Sequence, residues 1–249
     1  MLSDNEFMRY SRQLLLEEIA LEGQQKIQAA KVLIVGLGGL GSPAALYLAA
    51  AGVGTLLLAD DDKLHISNLQ RQLLYRTADV ERPKAELAKQ AVLALNPLCE
   101  AIAIEERLSG ERLQNLVASV SLVLDCSDNM ETRHAVNHAC INAKIPLISG
   151  SAVGFSGQLL VLEPPYSQGC YACLYPDLHT AEGNCRTAGV LGPVVGVIGT
   201  LQALEAIKML AGLPSSLSGK LRLFDGKQQS WSTLQLTRSP VCAICGDAQ

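Results

Sequence analysis

The 249-residue chain is 49% hydrophobic and 18% charged, with 4% aromatic residues and a formal charge of −4, which excludes a disordered polypeptide and leaves enough apolar residues for one large core or two small ones. The acidic balance and the lack of a Lys/Arg block argue against a nucleic-acid partner, because phosphate binding needs a basic surface. The start MLSDNEFMRYSRQ lacks the basic-then-apolar layout of an export signal, so a cytoplasmic location is expected.

Residues 4–30 space Phe7, Met8, Leu14, Leu15, Ile19 and Ile27 among polar positions, which predicts amphipathic helix broken near Gly23. KVLIV at 31–35 then reads as a buried strand, GLGGLGS as a tight glycine turn, and the Ala/Leu-rich stretch to Ala51 as a helix. TLLLAD at 55–60 repeats the strand signature and runs into Asp60, Asp61 and Asp62. A loop carrying SNLQRQ follows, then a helix from about Pro83 to Leu95, a weak strand at 101–104 and a helix near 110–118. SLVLDC at 121–126 and IPLISG at 145–150 are further strands around a helix at about 130–143. Strands spaced by helices predict a Rossmann-like, doubly wound α/β fold with a parallel sheet covered on both faces.

After residue 150 the alternation changes. SGQLLVLEPP, KLRLFDG and WSTLQLTR read as strands with less helix between them, which predicts antiparallel additions to the same sheet. A polar, cysteine-bearing loop at 164–187 and a long helix near 193–211 lie between them. The most hydrophobic stretch, Ala188 to Leu201, contains Pro193 and is soon followed by Gln202, Glu205 and Lys208. It is shorter than a membrane span of about 20 apolar residues and reads as core. With no repeat or linker, residues 1–249 are expected to form one domain: N-terminal helices at 1–30, a nucleotide-binding part at 31–150, and an antiparallel extension at 151–249.

Gly36, Gly38, Gly39 and Gly41 follow a strand and open a helix, and Asp60 closes the next strand. Glycines let the backbone approach a polyphosphate, the helix N-terminus offers N–H donors, and the acid accepts from ribose hydroxyls. The pattern predicts a nucleotide without saying which. Asn68, Arg71, Gln72 and Lys84 place two cations and two amides where a triphosphate extends, which favours ATP over a dinucleotide. Asp128, just past SLVLDC, is a candidate magnesium ligand. Each of these residues alone reads as a solvated surface group; together at strand ends they make a site.

Cys170-x-x-Cys173 and Cys242-x-x-Cys245 form a paired motif whose four thiolates suit a closed, structural zinc site. Cys99, Cys126 and Cys140 sit beside apolar runs and read as core. Cys185, in GNCRTAG beside Arg186, is a candidate reactive thiol, although an exposed thiol without a role remains the simpler reading from residues alone. His134 and His138 lack a ligand partner and read as solvated helix surface.

MRYSRQ, GLGGLG, DDD with SNLQRQ, RPK, LDCSDN, the paired CxxC motif and GVIGTLQALEAIKML together resemble the ThiF/MoeB/ubiquitin-activating superfamily, in particular the adenylyltransferases that activate ubiquitin-like sulfur carriers, from about residue 7 to 246. SAVGFSGQLLVL, NCRTAGV, GPVVGV and LRLFDGK are most similar to the branch serving thiamine biosynthesis, with the molybdopterin-synthase branch as the near relative. The resemblance implies that a carrier's C-terminal Gly-Gly carboxylate attacks the α-phosphate of ATP. It implies that Gly39 and Asp60 hold the nucleotide, that Asn68, Arg71, Gln72 and Lys84 hold ribose and phosphates, and that Asp128 with Asn129 organises magnesium. It further implies a homodimer in which Arg12 reaches the neighbouring site, a covalent acyl-disulfide link from Cys185 to the carrier, and a sulfurtransferase or cysteine desulfurase as a further partner. CLYPD at 173–177 departs from the pattern, with Tyr175 where tryptophan is expected. A nicotinamide oxidoreductase shares the glycine turn but leaves Arg71 and Lys84 without a task, and a non-catalytic nucleotide-binding scaffold would tolerate losing Arg71 or Asp128.

Overall fold

The computed structural model describes residues 2–176 and 189–246. The expected strands assemble into one sheet of order β3-β2-β1-β4-β5-β6-β7-β8. They are β1 Lys31–Val35, β2 Thr55–Ala59, β3 Glu100–Ile104, β4 Leu122–Asp125, β5 Leu147–Val153, β6 Ser156–Leu162, β7 Lys220–Asp225 and β8 Ser230–Gln235. The helices are α1 Asp4–Leu14, α2 Ala20–Ala29, α3 Gly41–Ala51, α4 Lys84–Leu95, α5 Gly110–Ala118, α6 Met130–Ala143, the single turn α7 Tyr171–Leu174, and α8 Gly192–Ala211. Strands β1 to β5 pair in parallel, and β5 to β8 pair antiparallel, as the change in alternation after residue 150 predicts.

The parallel strands are apolar at successive positions because both faces are covered. Val32, Ile34, Leu56 and Leu58 enter a core shared with α2, α3, α4 and α8. Leu33, Val35, Leu57 and Val123 enter a second core shared with α5 and α6. Cys99, Cys126 and Cys140 are all buried, as expected for small core residues.

The N-terminal helix breaks elsewhere than expected. Residues 15–19 form the bend, Ala20 takes φ +44°, and Gly23 lies inside α2. A Cβ on Gly23 would lie 3.4 Å from Ala211 Cβ, an ordinary contact, so α2 passes Ala211 of α8 here without a break. Tyr10 anchors α1: its buried hydroxyl accepts from Asn96 Nδ2 at 3.0 Å, and the same amide donates to Ala49 O at 2.7 Å.

Helix α8 carries the hydrophobic stretch read as core. Among the described residues it is the one helix whose length and composition suit a membrane crossing. Its position accounts for that composition: Val194, Ile198, Ala203 and Ala206 are buried in the first core, and a Cβ on Gly199 would lie 2.3 Å from Leu40 O. Pro193 in its first turn costs no hydrogen bond, and Gly212 ends it at φ +91°.

Candidate functional site

Strand order reverses direction between β1 and β4, and a crevice opens at the C-terminal ends of the strands on either side of such a point. Here that crevice is a cleft of about 640 Å³. The glycine turn after β1 forms one wall. Gly36 adopts φ +90°, and a Cβ there would sit 2.7 Å from Cys126 O, so the turn lies directly on the loop after β4. Gly41 plays a different part: its Cβ would meet Gly36 O at 2.0 Å, and it lets the start of α3 close on the turn without lining the cleft. A Cβ on Gly39 would strike Val195 Cγ1 at 2.7 Å, while Gly38 faces Gln72.

Asp60, Asn68, Arg71, Gln72, Lys84, Asp128 and Asn129 all border this cleft, so side chains from four separate segments converge as their positions at strand ends predict. Asp60 Oδ2 accepts from Leu37 N at 2.7 Å and its Oδ1 from Asp62 N at 2.9 Å. Burial raises its carboxyl above the usual range, against the opposing charge of Lys84. Lys84 is buried and its Nζ bonds Asp62 Oδ2 at 3.0 Å, which assigns a partner role to the third member of the acidic run. Arg71 reaches back to Ser67 O at 3.1 Å, and Asn68 Oδ1 accepts from His65 N at 3.0 Å. Gln72 is 3% exposed with Oε1 lacking a hydrogen-bond partner, a buried acceptor at the cleft wall that fits a ligand donor. Asn129 Oδ1 caps α6 by accepting from Thr132 N at 2.9 Å, which fixes the loop that exposes Asp128.

Beneath this loop lies a buried polar network that the motif reading missed. Asp125, 1% exposed, accepts from Ser127 Oγ and Ser149 Oγ, each at 2.6 Å, and faces Arg133 NH1 at 3.5 Å. Arg133 donates to Ser127 O at 2.6 Å and Gly150 O at 2.9 Å, joining the ends of β4 and β5. Gln202 of α8 donates to Asp125 O at 2.9 Å and Ile148 O at 3.1 Å and accepts from Cys126 Sγ at 3.4 Å. Burial, with the nearby Asp125 charge, pushes the Cys126 thiol far up, so it stays protonated as a core donor. The apolar run LVLD conceals Asp125, and nothing in local spacing connects it to Arg133 or Gln202.

The four paired cysteines also converge. Cys170, Cys173, Cys242 and Cys245 bring their sulfurs within 4.8 Å of one another, with Cys170 Sγ 3.8 Å from Cys242 Sγ and Cys173 Sγ 3.3 Å from Cys245 Sγ. These separations far exceed a disulfide bond of about 2.05 Å. A tetrahedral zinc with metal–sulfur bonds of about 2.3 Å spaces its sulfurs by about 3.8 Å, so this donor set can hold that ion. Asn137 Nδ2 donates to Cys170 Sγ at 3.5 Å and Ser239 N to Cys173 Sγ at 3.4 Å, contacts that favour thiolates.

Arg12 is exposed on α1 and does not line the cleft of its own chain. Cys185 and Arg186 lie outside the described residues. His138 is exposed as expected, whereas His134 is not solvated surface: its ring packs edge-on against Tyr171 at 5.5 Å, its Nε2 is buried, and burial lowers its pKa.

A family model described as the ThiF family matches residues 10–244. The Escherichia coli (strain K12) sulfur carrier protein ThiS adenylyltransferase is 59% identical over 245 residues, covering 98% of this chain and 97% of that protein. The Salmonella typhimurium molybdopterin-synthase adenylyltransferase is 44% identical, covering 98% of each. The crystal structure of E. coli MccB with ATP superposes with TM-score 0.82 at 26% identity, covering 96% of this chain and 73% of that one.

The polar network yields a stability prediction. Arg133→Ala leaves Asp125 buried without its cation and should cost about 3–5 kcal/mol, seen as a lower denaturation midpoint. Arg107→Ala, which removes the exposed 3.1 Å pair with Glu131, should cost about 1 kcal/mol or less. Equal losses would show that the buried network carries no special share of the stability.

Proposed function

The chain belongs to the ThiF family, and from that premise we propose that it adenylates the C-terminal Gly-Gly carboxylate of a ubiquitin-like sulfur carrier of the thiamine pathway. The observation that carries this reading is the convergence of the glycine turn, Arg71, Lys84 and Asp128 on one cleft. Higher identity to the ThiS enzyme than to the molybdopterin-synthase enzymes favours the thiamine-type carrier. Residues 1–249 act as one adenylation domain in the cytoplasm.

The carrier's carboxylate attacks the α-phosphorus of ATP; a carbon-bound oxygen gains a bond to phosphorus, the bridge to the β-phosphate breaks, and pyrophosphate leaves with the electron pair. The attacking carboxylate is already ionised, so alignment and charge neutralisation do the work, with no general base required. The N–H groups of the glycine turn at the start of α3 receive phosphate oxygens. Asp60 accepts from the ribose, Asn68 and Gln72 hold ribose and phosphate oxygens, and Arg71 with Lys84 supplies positive charge. Asp128 is the carboxylate that would hold magnesium, with Asn129 anchoring its loop; when bound, that ion offsets charge on the phosphates. The acyl-adenylate is then open to a sulfur donor, such as a sulfurtransferase or cysteine desulfurase.

Three further parts complete the proposal. One structural zinc sits on the four cysteines. The chain forms a homodimer, supported by the exposed apolar side chains Phe7, Met8, Leu15 and Leu16 around α1, and Arg12 enters the neighbouring site. Cys185 forms the covalent link to the carrier: it takes a sulfane sulfur from the persulfide of the sulfur donor, which leaves as a thiol, and the outer sulfur then attacks the acyl-adenylate carbonyl with AMP leaving, giving an acyl disulfide.

Each part has its measurement. Carrier-dependent exchange of labelled pyrophosphate into ATP should occur, and Asp128→Ala or Arg71→Ala should lower it by about 10²–10³ with the fold intact; near-normal exchange in either variant would sink the assignment. Metal analysis should find one zinc per chain, with Cys242→Ala losing both zinc and thermal stability. Zinc-free protein with unchanged melting would contradict that site. Mixing Arg12→Ala and Asp128→Ala chains should recover activity through a composite site, and no recovery after verified subunit exchange would place Arg12 outside it. Cys185→Ser should retain exchange yet form no reductant-sensitive adduct with the carrier by mass spectrometry; an adduct that persists would move the covalent role elsewhere.

A further inference from the structure

The cleft is also lined by residues of the β5–β6 hairpin: Ser151, Ala152, Val153, Ser156 and Gln158. None of these is charged and four are small, which leaves room beside them for an extended ligand. Ser151 and Gln158 are directly opposed in the antiparallel register, which puts their side chains on the same sheet face. Tyr175, just past α7, hydrogen-bonds through its hydroxyl to Gln158 Oε1 at 2.8 Å, and its ring packs on Tyr171 at 5.0 Å. Tyr171 is itself pinned: its N–H bonds Asn137 Oδ1 at 3.0 Å and its hydroxyl lies 3.4 Å from Met130 Sδ.

The consequence concerns the amide. A tyrosine hydroxyl donating to Oε1 occupies one acceptor site of Gln158 and sets its NH₂ on the side away from Tyr175. That nitrogen is engaged by none of the described residues, and Gln158 lines the cleft. An oriented amide N–H pair is complementary to peptide carbonyl or carboxylate oxygens.

We propose that Gln158 binds the backbone of the carrier's terminal Gly-Gly by donating from Nε2, and that Tyr175 is a positioning residue that fixes the amide in the donating orientation. This rests on the adenylation reading and identifies the side-chain contact by which the site recognises its acyl substrate. Gln158 is not among the residues assigned above to the nucleotide, so in this proposal the two substrates are held by separate groups.

The test uses the full chain with its carrier in pyrophosphate exchange, alongside calorimetric ATP binding without carrier and thermal melting. Loss of a hydrogen bond to a charged partner corresponds to about 10–100-fold in affinity. Gln158→Leu should therefore raise the carrier KM by about 10-fold or more while ATP affinity and melting stay unchanged. Gln158→Glu, which sets a carboxylate against the carrier's own, should raise it further. Tyr175→Phe should produce a smaller rise alone and none on top of Gln158→Leu, because it acts only through that amide. An unchanged carrier KM in Gln158→Leu, or a loss of ATP affinity in its place, overturns the assignment, and additive effects of the two substitutions overturn the positioning role of Tyr175. Absence of exchange in the unmodified protein is the distinct result that removes the adenylation reading and this inference together.

Discussion

Everything at the cleft depends on how closely two backbones approach at the point where the sheet order reverses. Gly36 lies against the carbonyl of Cys126, Gly41 against the carbonyl of Gly36, and Gly199 of α8 against the carbonyl of Leu40. Three elements therefore meet without intervening side chains. A methyl group at any of these positions would enter another residue's backbone, which cannot yield as a flexible side chain can. The contact fixes the distance between the N–H groups at the start of α3 and the Asp128 loop after β4, the two walls that a phosphate chain must span.

Close packing alone would leave the β4 loop free to tilt, and the polar residues beneath it prevent that. Arg133 ties Ser127 O to Gly150 O, and Gln202 reaches two neighbouring strand carbonyls from the opposite side of the sheet. Such buried polar groups are costly unless satisfied, and here each carboxylate oxygen of Asp125 has a serine donor. Rigidity in the loop is thereby separated from the chemistry above it. Asp128 remains exposed at the cleft, while the groups that hold its backbone are withdrawn from solvent.

The sheet was legible because its signal is local. Short apolar runs such as KVLIV and TLLLA, β-branched or bounded by glycine and acids, read as buried strands, and the glycines and cations that follow them fall at strand ends by topology. The four cysteines were legible because two short bites of fixed spacing point to a common metal. What local pattern hides is pairing across the chain. Asp62 reads as one of three equivalent acids until Lys84 is seen against it, and Asp125 reads as the end of an apolar run. Gly23 illustrates the converse: a glycine within helical sequence suggests a break, but α2 runs straight through it beside Ala211 of a helix far along the chain. His134 likewise lies on a mostly polar helix face, and Tyr171 of α7 is what buries it.

The cysteine cluster has a topological consequence. Between Cys173 and Cys242 run α8 and the β7–β8 hairpin, so a metal on the four thiols closes a single large ring containing that entire segment. Fastening the ends of so long a segment removes far more freedom from the unfolded chain than from the folded one, where they already lie together. The antiparallel strands beyond β6 can then fray only within the ring, and α8 cannot drift from the sheet without carrying both anchors. A metal on these thiols would thus couple the opening of α8 and the β7–β8 hairpin to that of α7.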